Sequence, residues 1–260
     1  MIKTDVLIIG AGAVGVALAR ELSKYKIKTI VCDKNDDVGG DASKSNSGLT
    51  STSATMPVGT LECKIRTISH SMVDNICRDL DIPTKSNRVD IGVRVELPAA
   101  VFAHLTDELY ESKIVYRTEK YGDKVRTFCM NPRGVVVNEN TNGIVTVNGH
   151  SYEDPAKQTN NTNFALLVAK HFSEPFKDSN GYGESIARLS NMLGGGVIVQ
   201  RFGDLIKGRR STQSRIDESF VTPTLNATPG DLSLVLPKRI LDGIIDMIYA
   251  LDKVAPGTAN

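Results

Sequence analysis

The stretch that decides the fold runs from Asp5 to Lys34 and reads DVLIIGAGAVGVALARELSKYKIKTIVCDK. Val6, Leu7, Ile8 and Ile9 form an unbroken apolar run, the pattern of a parallel strand buried on both faces. The run leads directly into Gly10-Ala11-Gly12-Ala13-Val14-Gly15 and then into a predicted helix. In that helix Val14, Leu18, Leu22 and Tyr25 recur at helical spacing, while Gly15 and Ala19 offer small surfaces for close approach to a sheet. A second strand is predicted over KTIVCD, ending at Asp33.

Each residue type at the turn has a mechanical task. Gly10 permits a tight turn, Gly12 lets backbone approach a pyrophosphate, and Gly15 lets helix and strand pack closely. Ala11, Ala13 and Val14 complete the turn and the helix start, where N–H groups and a partial positive charge favour phosphate. Asp33 lies 23 positions beyond Gly10, at a strand end where a carboxylate accepts hydrogen bonds from adenosine ribose hydroxyls; Lys34 adjoins it. The complete strand, glycine turn, helix, strand and acid unit predicts dinucleotide binding rather than a structural glycine turn. The acid would repel the 2′-phosphate of NADP, and it suits FAD and NAD alike.

The next segment, VGGDASKSNSGLTSTSATMPVGTLECKI, has the composition of a serine-rich surface loop. Through the Rossmann unit, SKSNSG (Ser43 to Gly48) and PVGTLECKI (Pro57 to Ile65), however, about the first ninety residues resemble a known superfamily. It is that of the FAD-dependent oxidoreductases of the glycerol-3-phosphate dehydrogenase and D-amino-acid oxidase type. The resemblance implies FAD as cofactor and makes Ser43, Lys44, Asn46, Ser47 and Gly48 contacts to its pyrophosphate and flavin. Related dehydrogenases often follow this loop with His-Ala-Gly, whereas Ser51-Thr52-Ser53 stands here, so no imidazole carries over. Leu61, Ile65, Ile68, Met72, Ile76 and Leu80 then step by three or four, predicting an amphipathic helix that ends before Asp81-Ile82-Pro83. His70, beside that stripe, is read as a surface or packed histidine.

The pattern changes near NRVDIGVRVELP, which places a boundary near residue 88. The expected organisation is an FAD-binding Rossmann-type segment over 1–88 and an α+β substrate or cap domain over 89–260. In the second part a helix carries Val101, Phe102, Leu105 and Leu109, and GVVVNENTNGIVTVNG reads as a hairpin with Gly143 at positive φ. Strands are predicted over Phe164–Ala169 and Gly195–Phe202. Helices are predicted over Ser185–Leu193 and Arg239–Leu251, the last with a broad apolar face suited to a sheet. This half resembles a group of uncharacterised bacterial FAD-dependent dehydrogenases through DIGVRVELP, VRTFCMNPRGVVV, ARLSNMLGGGVIVQRFGDLIKGRRST and ATPGDLSLVLP. That resemblance implies an FAD oxidoreductase with a large substrate or cap domain.

Four features of this half invite chemical readings. Cys129 in FCMNP is read as a buried structural thiol, since Asn131 occupies the place where related sequences often have a second cysteine. His150 is read as a turn or packing residue before a general base. Arg209 and Arg210 form a pair able to clamp carboxylate or phosphate, although a solvated loop is the plainer reading. Gly194–Gly196 precedes a strand instead of opening a helix, so it is a turn and no second phosphate motif.

Composition narrows the classes. Thirty-one basic and thirty acidic side chains in 260 residues give a charge of +1, with no field suited to nucleic acid or anionic lipid. Cys32, Cys63, Cys77 and Cys129 show no CxxC pair, so neither zinc site nor dithiol is expected, no metal is assigned, and reduced thiols suit a cytoplasmic location. The apolar stretch Val6–Ala19 is too short to span a bilayer, and no transmembrane segment is expected. The expected class is α/β: a Rossmann-type FAD/NAD(P)-binding unit with a second α+β domain. It is expected to be incomplete, because the resembled groups continue into a C-terminal segment that returns to the flavin; a partner chain completing that site is one consequence. The function expected is FAD-dependent hydride transfer from a small-molecule substrate. A noncatalytic dinucleotide-binding protein and an NAD-dependent dehydrogenase stay open beside it.

Overall fold

Parallel pairing of the two N-terminal strands follows from the short helical crossover between them. β1 (Val6–Ile9), α1 (Ala13–Leu22) and β2 (Thr29–Cys32) form the unit, with Val6 opposite Thr29 and Ile9 opposite Cys32. The structure, a computed structural model, describes residues 3–40, 75–83, 88–109, 111–141, 143–172, 176 and 178–260. It divides into two compact units, Met1–Ser51 and Thr52–Asn260.

In the first unit the expectation of a strand buried on both faces is met only at Ile8; Leu7 and Ile9 are exposed. Among the described residues β1 is hydrogen-bonded to β2 and flanked by one helix, and these leave Leu7 and Ile9 uncovered. The helix also turns differently from its apolar stripe. Val14 and Leu18 face solvent, while Gly15 lies against the Ile8 side chain, so the bare glycine makes the close approach. Of the helix expected over 61–80, residues 75–79 are described and helical. Leu80 follows in a turn, while residues 61–74, with His70, and Ser51-Thr52-Ser53 lie outside the described residues.

The second unit begins with β3 (Val89–Pro98) and α2 (Ala99–Thr106), followed by β4 (Val115–Arg117) and β5 (Lys124–Asn131). A hairpin of β6 (Val135–Thr141) and β7 (Ile144–His150) comes next, then β8 (Asn161–Lys170). Strands β3, β8, β5 and β4, in that order, make one antiparallel sheet. The hairpin turns at Gly143, which takes the expected positive φ of 80°. Beyond β8 run α3 (Ser179–Gly194), β9 (Ile198–Val199), α4 (Phe202–Ile206), α5 (Gln213–Asp217), β10 (Thr228–Pro229) and α6 (Lys238–Asp252). The strand expected over Gly195–Phe202 is only β9, paired in parallel with β10. Phe202 and Leu205 pack on the core, and that burial draws the chain into α4.

Helix α6 closes the core. Ile240, Ile244, Met247, Ile248 and Leu251 are buried in one cluster with Val125, Phe164, Leu166 and Val168 of the sheet. Phe102 of α2 completes it, its ring centroid 5.1 Å from that of Phe164. An ion cluster ties the same layers at the rim: Arg239 of α6 grips Asp123 through Nε (2.7 Å) and Nη2 (2.8 Å), and Lys170 of β8 reaches the same carboxylate.

Candidate functional site

A backbone hydrogen bond and two bare glycines build the turn. The Gly10 N–H donates to the Cys32 carbonyl (2.7 Å), which ties the start of the turn to the end of β2, and Gly10 takes φ 107°, a conformation costly for other residues. At Gly15 an added Cβ would fall 1.8 Å from the Gly10 carbonyl oxygen, so only glycine lets α1 lie against the turn. The helix starts at Ala13 with Gly12 as its N-cap and no side-chain cap. Gly12 has no side chain with which to cap the helix, and the positive end of the helix dipole lies at the glycine turn.

Asp33 reaches this turn. Its Oδ2 accepts from the buried Ala11 N–H at 2.6 Å and its Oδ1 from the Asn35 N–H at 2.9 Å. These bonds, that from Ala11 foremost, hold the carboxyl below the usual carboxylate range. The Ala11 carbonyl accepts from the Gly39 N–H (2.8 Å), drawing the segment after β2 to the same place. An ionised, exposed carboxylate with lone pairs to spare thus stands beside a helix start whose N-cap is a glycine. That donor and acceptor set fits an adenosine diphosphate moiety: diphosphate on the amides, ribose hydroxyls on the carboxylate. Sequence position brought Gly10, Ala11, Gly12, Ala13, Val14, Gly15, Asp33 and Lys34 together as candidates, and in the fold they cluster at one end of β1 and β2. Ser43, Lys44, Asn46, Ser47 and Gly48 lie outside the described residues.

Comparison with known proteins gives two overlapping matches. Residues 5–112 match the DAO family of FAD dependent oxidoreductases. Residues 89–260, more than half of the chain, match the FAD-dependent protein, C-terminal domain-like family. The chain belongs to that FAD-dependent family. FAD is the cofactor of both families. Among similar proteins are a glycerol 3-phosphate dehydrogenase of Caloramator mitchellensis, 41% identical over 81 residues, and an uncharacterized protein of Clostridium beijerinckii, 29% identical over 222 residues. A glycerol 3-phosphate oxidase of Mycoplasma genitalium is 47% identical over 45 residues. The matches cover 31%, 77% and 17% of this chain, and 17%, 40% and 12% of the respective relatives, less than half of each.

In the second unit of this FAD-dependent protein a polar cluster stands out that sequence reasoning missed. Arg94 of β3 donates through Nε to Asn163 Oδ1 (2.7 Å), through Nη2 to the Cys129 carbonyl (2.6 Å) and through Nη1 to Asn148 Oδ1 (3.5 Å). Its direct partners are neutral acceptors, and burial pushes the guanidinium down to about 10 against the pull of Cys129, Glu139 and Glu96. The Gly149 backbone is pressed into this cluster, where an added Cβ would sit 2.0 Å from Arg94 Nη2. Cys129 is half-buried and free, not fully buried as expected. It lies at a bulge in β5 with φ 44°, which turns its carbonyl toward Arg94 and Asn131, and burial pushes its thiol up. Arg94 sits within the run DIGVRVELP, where nothing local announced its partners.

His150 ends β7, exposed, with its ring 4.8 Å from that of Tyr152 in an edge-on contact. Gly195 caps α3 in the left-handed conformation, the turn expected there. Arg209 forms an ion pair with Asp204, whose carboxylate is almost wholly buried. Among the described residues no helix is long and apolar enough to cross a membrane, and no group of three or more His, Cys, Asp or Glu is placed to hold a metal ion.

Proposed function

We propose that this FAD-dependent protein is an oxidoreductase that accepts a hydride from a small-molecule substrate, with residues 1–88 holding the ADP half of the cofactor and 89–260 serving the substrate. The observation that supports the reading is the Asp33–Ala11 bond, which holds the acid assigned to ribose at the glycine turn. FAD supplies the hydride acceptor. The chain's own part is to bind and orient: Gly10, Gly12 and Gly15 keep the diphosphate path clear, the start of α1 meets its charge, and Asp33 takes the sugar. Ser43, Lys44, Asn46, Ser47 and Gly48 are assigned to the pyrophosphate and flavin side, on the family resemblance. The reaction is placed in the cytoplasm, a location that suits the free thiols of Cys32, Cys77 and Cys129.

The test is spectroscopic. Purified chain is expected to carry, or take up, a chromophore absorbing near roughly 450 nm, a property of the bound flavin. Anaerobic addition of substrate should bleach it. Glycerol 3-phosphate is the first compound to try, because two similar proteins bear its name. A colourless chain that also fails to retain added FAD on gel filtration would overturn the proposal.

A further inference from the structure

A recess lies wholly within the second unit, between the end of α3 and the segments around β9 and β10. It has a volume of about 340 Å³, and its lining includes Leu193, Ile198, Leu234, Arg209, Arg210 and Asp231. This volume suits a small ligand, at the low end of the range for such sites.

The arginine at this recess is held from three directions. The Arg209 N–H donates to the Asp204 carbonyl (3.1 Å), its own carbonyl accepts from Gln200 Nε2 (2.9 Å), and its Nε donates to Asp204 Oδ1 (2.7 Å). Asp204 is fixed in turn. It is 2% exposed, its Oδ2 accepts from Ser211 Oγ (2.8 Å), and that hydroxyl accepts from the Arg201 N–H (2.9 Å). Burial pushes the Asp204 carboxyl up, but the bonds from Ser211 and Arg209, with the charges of Arg209 and Arg215, hold it below the usual range. Burying a carboxylate is costly, and here it stations one guanidinium at the edge of a recess. The terminal amino groups of Arg209 have no partner among the described residues, nor has the guanidinium of the neighbouring Arg210, whose carbonyl is taken by Arg215.

Positive charge is in excess along the segment that carries Arg209 and Arg210. Residues 201–215 hold five cations, Arg201, Lys207, Arg209, Arg210 and Arg215, against the single acid Asp204, in a chain whose overall charge is only +1. Asp231 is the acid on the lining, and its Oδ1 is engaged as the cap for the Ser233 N–H (2.9 Å). Leu193 and Leu234, 48% and 65% exposed, give the same recess an apolar wall.

We propose that this recess binds a small organic anion, its carboxylate or phosphate group held by Arg209 and Arg210 and its short aliphatic body lying against Leu193, Ile198 and Leu234. Asp204 is the positioning residue. Guanidinium forks match both oxyanions, and the apolar wall makes an organic ligand a better fit than a bare ion. The inference does not rest on flavin binding, because every group it uses belongs to the second unit.

Titration of the full chain with inorganic phosphate and, separately, with butyrate tests it, followed by proton–nitrogen NMR correlation spectra at constant ionic strength, with 1-butanol as neutral control. Saturable shifts confined to amides of residues 193–198, 208–211 and 228–234, in the roughly millimolar range expected of so small a probe, are the predicted result. Preference for phosphate identifies a phosphate ester as the ligand class, and preference for butyrate a carboxylate. Arg210→Gln, a change at an exposed side chain, should weaken binding roughly tenfold or more while leaving the remaining spectrum in place. Absence of saturable shifts with either anion, or unaltered affinity in Arg210→Gln, would overturn the proposal. Flavin content measured on the same samples keeps the outcome separate from the cofactor reading.

Discussion

Asp33 shows how one side chain links sequence to chemistry. Its two oxygens each accept a backbone N–H, from Ala11 and Asn35, so the carboxylate is ionised and aimed before any ligand arrives. Replacing it by alanine removes the acceptor proposed for the ribose hydroxyls and also leaves the buried Ala11 N–H of the glycine turn without its partner. Asp33→Ala is expected to bind FAD roughly tenfold more weakly, with unchanged far-ultraviolet circular dichroism, as read by quenching of flavin fluorescence. Arg94 illustrates the opposite case, a charge serving structure. Arg94→Met leaves Asn163 and Asn148 short of a donor within the cluster and should cost about 2–3 kcal/mol in urea unfolding. Arg94→Lys should rescue little, because a single ammonium cannot span acceptors contributed by β5, β7 and β8.

At the scale of elements, burial separates residues that look alike in sequence. Ile244 of α6 and Ile9 of β1 both sit in apolar runs, yet Ile244 is 1% exposed and Ile9 is 85% exposed. Ile244→Ala is therefore expected to cost about 2–5 kcal/mol. Ile9→Thr should lie within about 0.5 kcal/mol of the parent. Thermal melts of the two variants check the pair directly. The difference arises because α6 lies across a four-stranded sheet, whereas among the described residues β1 pairs with β2 alone. The amphipathic stripe of α6 announced its burial through helical periodicity. The stripe of α1 did not describe its packing, because Gly15, lacking a side chain, governs which face approaches β1.

For the molecule as a whole, acid should act first on ion pairs that join layers. Asp123 is held below the usual carboxylate range, chiefly by the hydrogen bonds from Arg239 and then, against some burial cost, by Lys170. A folded value below the unfolded one means that this stabilisation is complete above the unfolded value and is lost as pH falls through the folded one. Stability of the second unit should decline below about pH 4, where free aspartate titrates. Asp123→Asn should flatten that decline and cost about 1–2 kcal/mol at neutral pH, less than a fully buried pair because Arg239 keeps half its surface in water. Urea titrations across pH check both effects.

What the chain order alone determined was local: the glycine turn, the strand–helix–strand unit, the Asn-Gly hairpin and the apolar face of α6. Each depends on residues within about one element of each other, where backbone sterics and periodicity act directly. Asp33 was legible too, since the motif fixes its spacing. Only the tertiary structure decided that its carboxylate reaches Ala11, that Arg94 meets Asn163 across 69 positions, and that Asp204 holds Arg209 at a recess with a leucine wall. Contacts of that kind come from strand register and from the burial of polar groups that must find partners, and neither quantity is written in any short stretch of sequence.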